Sequence, residues 1–256
     1  MYLQPVVDIV MERSMETLLE KEENNITIES KCGVVRKAGK AYLGIKRYFD
    51  FASSFCVSIL LLIPMIILAI VIMIKDPGNP FYMQKRVGQK GKEIGVLKFR
   101  SMRKNADQLE KMLTPEQLAQ YKKEYKLNDD PRLIGYRNDG NGNKCFGAYI
   151  RRTSLDELPQ IFWNICIKGN MSVVGPRPIL YEELMENYSP KEQALLLSVK
   201  PGLTGYWQAY ARNDATYQTG MRQRMELFYA SNASFGLDMK IILATVGAVL
   251  RKKGAK

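Results

Sequence analysis

The sequence predicts a mostly helical α/β protein: a compact domain carried on a proline-broken, re-entrant membrane helix, with further amphipathic helices in the membrane interface. Three observations lead there. Phe51 to Ile74, FASSFCVSILLLIPMIILAIVIMI, runs 24 residues without a charge. Pro64 falls near its middle, and basic residues crowd both of its ends. Beyond it, short strand-like runs alternate with stretches of helical periodicity, and no internal repeat is visible.

The apolar run comes first because it is the least ambiguous element. As a straight helix it would be roughly 36 Å long at 1.5 Å per residue, enough to cover a hydrocarbon core of roughly 30 Å. A buried core helix is the competing reading, but core helices of this length normally keep a polar face. Pro64 withholds one backbone donor and crowds the preceding turn, so the helix is expected to break or kink there. Lys37, Lys40, Lys46 and Arg47 precede the run, and Lys75, Lys85, Arg86, Lys90 and Lys92 follow it. A simple crossing would put one cluster on the outer side, against the positive-inside tendency. A helix that dips in and returns keeps both clusters on the cytoplasmic face, with Ser53, Ser54 and Ser58 available to bond carbonyls freed by the break. A kinked spanning helix fits the same composition.

The other elements follow around this anchor. Residues 1–45 read as an acidic N-terminal helix and linker, 46–75 as the membrane helix, and 76–256 as the main domain. Residues 1–30 hold seven acidic and two basic side chains; with +12 over the whole chain, residues 31–256 carry +17. No basic and apolar leader pattern opens the chain. Asp76-Pro77-Gly78-Asn79-Pro80 is a strong turn that ends the helix. Phe81–Met83 and Ile94–Phe99 read as short strands around a Gly88–Gly91 turn, and Lys98–Met102 as the opening of a helical stretch toward Tyr125. Residues 138–143, NDGNGN, form a turn-rich loop whose spacing and missing terminal glutamate argue against a calcium site. Helices are expected after Asp156-Glu157 and over Pro190–Ser198. Gly236–Leu250 fits a core helix and an interfacial one equally well.

Composition restricts the chemistry. The chain has no histidine, which removes histidine bases, triads and histidine-ligated zinc. Cys32, Cys56, Cys145 and Cys166 show no CxxC pairing and suit a reducing compartment. The basic excess calls for an anionic partner. Within Arg151–Pro178, RRTSLDELPQIFWNICIKGNMSVVGPRP, an acidic pair lies close to one arginine and upstream of another. A carboxylate that works on a phosphate needs such cations, because two anions repel at contact distance. Ser154-Leu155-Asp156-Glu157 also fits a plain capping box. Pro159 favours a helix starting nearer Asp156, where the proline is tolerated and the helix dipole would hold the Asp156 carboxylate ionised. In Gly175-Pro176-Arg177-Pro178, Pro176 and Pro178 fix the backbone around Arg177, whose fork suits phosphate oxygens. Lys98, Arg100, Arg151 and Arg152 are further anion-binding candidates, with ordinary solvated charge as the alternative for each.

Taken together these motifs resemble the bacterial sugar transferases known as monotopic phosphoglycosyl transferases. The resemblance runs from about Lys46 to Leu250: KRYFDF, NPFYMQKRVGQKGK, VLKFRSM, RRTSLDELPQ, NMSVVGPRP, KPGLTGYWQAYARN and SNASFGLDMKIILATV. It implies a cytoplasmic catalytic domain on a re-entrant helix in the cytoplasmic leaflet of the inner membrane. It implies transfer of a sugar 1-phosphate from a nucleotide sugar, such as a UDP-sugar, to polyprenol (undecaprenyl) phosphate, at the first membrane step of a surface glycan pathway. It also implies Mg²⁺ as cofactor and no nucleic-acid partner; an oligomer is compatible with it. By motif, Asp156 matches the nucleophile and Glu157 its dyad partner, the two being the candidate metal ligands. Arg151 and Arg177 match phosphate-binding positions, to which Lys98 and Arg100 are added. The chain looks like the small form of the family with an N-terminal extension, without the multi-span region of larger relatives. It departs from the pattern in the loop at 136–144, in one or two extra residues between the dyad and GPRP, and in Asn170 where an acidic residue is frequent. The extra spacing bears on helix register beside the site.

Two alternatives remain at this level. A basic membrane-anchored scaffold that binds anionic lipid or nucleic acid has the same charge footprint. A transferase that moves only the sugar would release the nucleoside diphosphate instead. Selection of the sugar is assigned to the Tyr206–Asn213 segment.

Overall fold

A computed structural model describes residues 39–124, 127, 129–137, 144–211 and 220–250. The expected N-terminal acidic helix and the core of the NDGNGN loop lie outside the described residues. Helix α1, Lys40–Lys75, covers the apolar run and begins some way ahead of it. Pro64 does not break it. Proline withholds a single N–H, and a helix absorbs that loss by bending while its ladder continues on both sides. Ser53 back-bonds to the Phe49 carbonyl at 2.6 Å, well short of the proline. The Ser54 and Ser58 hydroxyls are buried without a hydrogen-bond partner among the described residues. The serines therefore do not serve a break at Pro64.

One stripe of α1 faces the rest of the molecule: Asp50, Ser54 and Ser58, then Met65, Leu68, Ala69 and Ile72, at helical spacing. The opposite side is bare and apolar, with Phe55, Leu60, Ile63 and Ile74 among its exposed residues. Both ends of the stripe are fastened to the same domain. Near the start, Lys46 Nζ lies 2.7 Å from Asp238, and Tyr42 donates to the same carboxylate at 2.9 Å. Arg47 donates to the Ile165 carbonyl at 2.7 Å, and Asp50 accepts from Ser172 Oγ at 2.7 Å and from the Val173 amide at 3.0 Å. Near the end, Ile72 is fully buried with Phe99, Ile134 and Ile150. Full burial of one isoleucine is worth about 1.5–3 kcal/mol, more than an exposed ion pair gives, so this end is held by packing.

Strands β1 (Phe81–Val87) and β2 (Glu93–Phe99) form the expected antiparallel hairpin, with Gln84 opposite Val96 and Arg86 opposite Ile94. The turn between them includes Lys90 and Gly91 at positive φ. No helix opens at Lys98. That residue pairs with Tyr82 and the strand runs on to Phe99, so helical structure waits for α2 (Leu109–Met112) and α3 (Pro115–Glu124).

Helix α4 (Phe146–Arg152) comes next, then a 3₁₀ turn, Leu155–Glu157. Pro159 opens the next helical stretch, as expected, and that stretch widens into a π-helix, Ile161–Ile167. Asn164, fully buried in this π-helix, accepts from the Leu97 amide at 2.9 Å and donates to the Gly95 carbonyl at 2.7 Å. One side chain thus pairs with β2 as a neighbouring strand would.

Strand β3 (Ser172–Val174) lies parallel to β4 (Gly202–Thr204), and α5 (Tyr181–Asn187) and α6 (Pro190–Leu196) form the connection. Helix α6 starts on a capping box in which Ser189 and Glu192 bond each other's backbone. Helices α7 (Tyr206–Tyr210), α8 (Met221–Asn232) and α9 (Phe235–Leu250) complete the described fold. In α9, Ile241 is buried against Val174 and Tyr229, whereas Leu243 and Val246 are exposed. The helix has a core face and a bare apolar face, so both readings offered by its sequence describe part of it.

Candidate active site

The β1–β2 hairpin, the 3₁₀ turn and the GPRP loop enclose a cleft of about 270 Å³. Alternation along the hairpin supplies its floor. Gln84 and Arg86 of β1 project on the same face as Val96 and Lys98 of β2, and all four line the cleft. Arg151, Ser154, Asp156, Glu157 and Gln160 come from α4 and the turns after it, and Arg177 and Pro178 from the loop after β3.

Close backbone contact fixes that loop. The Gly175 amide donates to the Thr204 carbonyl at 2.9 Å, and the Gly202 amide to the Pro176 carbonyl at 2.8 Å. A side chain at either glycine would collide with the facing backbone, so two glycines hold the rigid Arg177 segment against β4. Ser154 sits at φ 56°, a left-handed conformation unusual for serine. It reverses the chain between α4 and the acidic pair, and so carries Arg151 and Asp156 to one cleft.

Asp156 is buried, and here one expectation is corrected. Its carboxyl is pushed up to about 6, first by burial and also by the Glu157 charge, while Lys98 and Arg151 pull the other way. The element it starts on is a single 3₁₀ turn, too short for a helix dipole to prevail over desolvation. Lys98 Nζ lies 3.5 Å from Glu157 Oε1, a loose pair that leaves ammonium protons available to a ligand. Arg177 lies 3.4 Å from Glu183 and keeps part of its guanidinium exposed.

Of the residues singled out in the sequence, Asp156, Glu157, Arg151, Arg177, Lys98 and Pro178 meet at this cleft. Pro176 stands beside it, its carbonyl bonded to β4. Arg100 does not join them. It is buried, bonds the Asp76 carbonyl and lies 3.1 Å from the Asp76 carboxylate, so it closes the turn after α1. Arg152 is exposed and is not among the lining residues. From the segment assigned to sugar selection, Gln208 reaches the cleft, and residues 212 and 213 lie outside the described residues. Sequence reasoning missed Arg86, Gln84 and Gln160. A signal for the first two was present: once Lys98 is a candidate on a hairpin, the period of two puts Gln84 and Arg86 on its face.

An acidic dyad with its aspartate buried stands among cations, beside a long apolar helix, an arrangement that suits an anionic ligand at a membrane surface. The chain belongs to the bacterial sugar transferase family, whose model matches residues 41–252. It is 39% identical over 82% of its length to the UDP-galactose-lipid carrier transferase of Erwinia amylovora, covering 41% of that protein. It is 36% identical over 94% of its length to the undecaprenyl-phosphate galactose phosphotransferase of Salmonella typhimurium, covering 46% of it. It is 35% identical over 94% of its length to the exopolysaccharide production protein ExoY of Rhizobium meliloti, covering 100% of that protein. The chain thus spans less than half of the first two relatives and the whole of the third.

Proposed function

We propose that this protein is a phosphoglycosyl transferase that moves a sugar 1-phosphate from a UDP-sugar to undecaprenyl phosphate through a covalent intermediate on Asp156. The observation that carries the reading is the placement of a buried aspartate in one cleft with Lys98, Arg151 and Arg177. The relatives' names supply the lipid carrier and the phosphotransfer for those proteins.

In the first half-reaction an Asp156 oxygen attacks the phosphorus that bears the sugar. A phosphorus–carboxylate bond forms, the bond to the bridging oxygen breaks, and that oxygen leaves with the nucleoside monophosphate. In the second, an oxygen of the lipid phosphate attacks the same phosphorus, the aspartyl bond breaks, and the carboxylate is restored. Lys98, Arg151 and Arg177 hold the phosphoryl oxygens and offset the charge that otherwise repels the nucleophile.

Mg²⁺ suits the donor set. No group of three or more acidic or cysteine ligands occurs among the described residues, yet Mg²⁺ is commonly held by one or two carboxylates together with substrate phosphates and water. Glu157, with Asp156, would hold it. When bound, the ion neutralises diphosphate charge and eases departure of the nucleotide.

The same reading puts both ends of α1 on the cytoplasmic face, with Pro64 as a bend in the apolar arc. In support, Lys46, Arg47 and Asp50 near one end and Ile72 near the other bind a single domain, which a straight crossing would have to straddle.

Identification of the released nucleotide tests the reaction. With undecaprenyl phosphate and a panel of UDP-sugars, one donor should release UMP, and Asp156→Asn should abolish that release. Release of UDP would point to transfer of the sugar alone. Lipid binding with no nucleotide release from any donor would favour the scaffold alternative.

A further inference from the structure

Behind the GPRP loop lies a buried charge cluster of which the reaction as described uses only Arg177. Glu183, almost wholly buried on α5, stands among three guanidiniums. Its Oε1 is 3.4 Å from Arg177 and 3.6 Å from Arg222, and its Oε2 is 3.8 Å from Arg86. The Leu180 amide also donates to Oε2, at 3.3 Å, which pins the carboxylate to the start of its own helix. Arg222 is turned inward: it lies over the Trp207 ring, 4.4 Å from its centroid, and 3.6 Å from Glu226, which in turn accepts from the Tyr188 hydroxyl at 2.7 Å. Arg86 and Arg177 are the two members that line the cleft.

One carboxylate is shared between Arg86 and Arg177, and these separations are too long for fork-to-fork pairing with either. Burial pushes the Glu226 carboxyl up, while the Tyr188 hydroxyl and Arg177 pull it the other way. Arg86 and Arg177 form the cleft end of the cluster. There the Arg86 side chain is about nine-tenths buried, and its Nη1 has no hydrogen-bond partner among the described residues. Burial first, and then the neighbouring Arg177, pull its guanidinium down to about 10, while Glu183 pulls the other way. A buried donor left unmade is costly, and a phosphate oxygen entering the cleft supplies what is missing.

We propose that Arg86 is a further phosphate-binding residue, paired with Arg177 on one diphosphate, and that Glu183 is the positioning residue that sets both guanidiniums. This rests on the reading that the cleft takes a nucleotide diphosphate sugar. The chemistry recognised is the diphosphate common to such donors, so the pair contributes affinity for any of them without choosing the sugar.

The test uses the full chain in lipid nanodiscs, with inorganic pyrophosphate as a binding probe and the UDP-sugar panel for kinetics. Arg86→Ala should weaken pyrophosphate binding and raise donor KM by about tenfold or more, as expected for a lost charge-assisted contact, with kcat much less affected. Arg86→Lys should recover only part of the loss, because an ammonium keeps the charge without the fork. Glu183→Gln should raise KM in the wild-type background but add little once Arg86 and Arg177 are both alanine. Lys85→Ala, on the opposite face of the same strand, should change none of these. The assignment is overturned if Arg86→Ala and Arg86→Lys fold with unchanged pyrophosphate affinity and donor KM, or if Glu183→Gln lowers thermal stability while leaving KM alone. Pyrophosphate binding needs no turnover. Failure of every donor with the wild-type protein would therefore sink the proposed reaction, while the Arg86 variants would still decide the binding site.

Discussion

At the scale of single residues, Asp156 carries the account, and its environment makes a quantitative statement. A carboxyl pushed up to about 6 by burial is ionised at neutral pH but protonated within a pH range that enzymes tolerate. Only the ionised form attacks phosphorus, and the donor diphosphate does not titrate in that range. The first half-reaction, followed in single turnover without lipid acceptor, should therefore slow as pH falls through about 6, approaching tenfold per unit below it. A rate that stays flat to pH 5 would show that Asp156 is not the group whose ionisation governs the step. The acidic pair itself was legible from its setting between arginines. Its burial was not, because it depends on Val96, Lys98 and the GPRP loop arriving from other parts of the chain.

At the scale of elements, helix α1 raises the sharper question. Its composition alone allows crossing or return, and its helical ladder does not break at Pro64. The fastening of both ends favours return. Cysteines introduced singly at Gly39 and Asn79, just outside the two ends of α1, should both resist a membrane-impermeant maleimide applied to intact cells. Both should react once the membrane is opened. Labelling of one position from outside would make α1 a spanning helix. The hairpin was readable from its turn and alternation, as was α6 from Ser189-Pro190 and Glu192. Strands β3 and β4 were not, since three-residue strands far apart in the chain carry no local period. Helix α8 was equally hidden. Arg222, Glu226 and Tyr229 are buried on it, so no simple apolar stripe marks its inner face.

For the whole molecule, the cleft joins parts of the chain that are distant in sequence, and α1 braces them from beneath. Asp50 holds β3, the strand that leads into GPRP, and Arg47 holds the end of the π-helix that comes after the dyad. The apolar helix and the cleft are thus one packed unit, which suits the proposed reaction between a soluble nucleotide and a lipid phosphate at a membrane surface. The motifs allowed this reach to be anticipated, but not the exclusion of Arg100 or the inclusion of Arg86, because a side chain's direction at the end of a strand depends on register. The central claim is the bond between Asp156 and phosphorus, and intact-protein mass spectrometry after incubation with a UDP-sugar and Mg²⁺, without lipid acceptor, tests it most directly. An added sugar-phosphate mass is expected, absent from Asp156→Asn and discharged by undecaprenyl phosphate; turnover with no such adduct at any time, or an adduct that persists in Asp156→Asn, would rule that bond out.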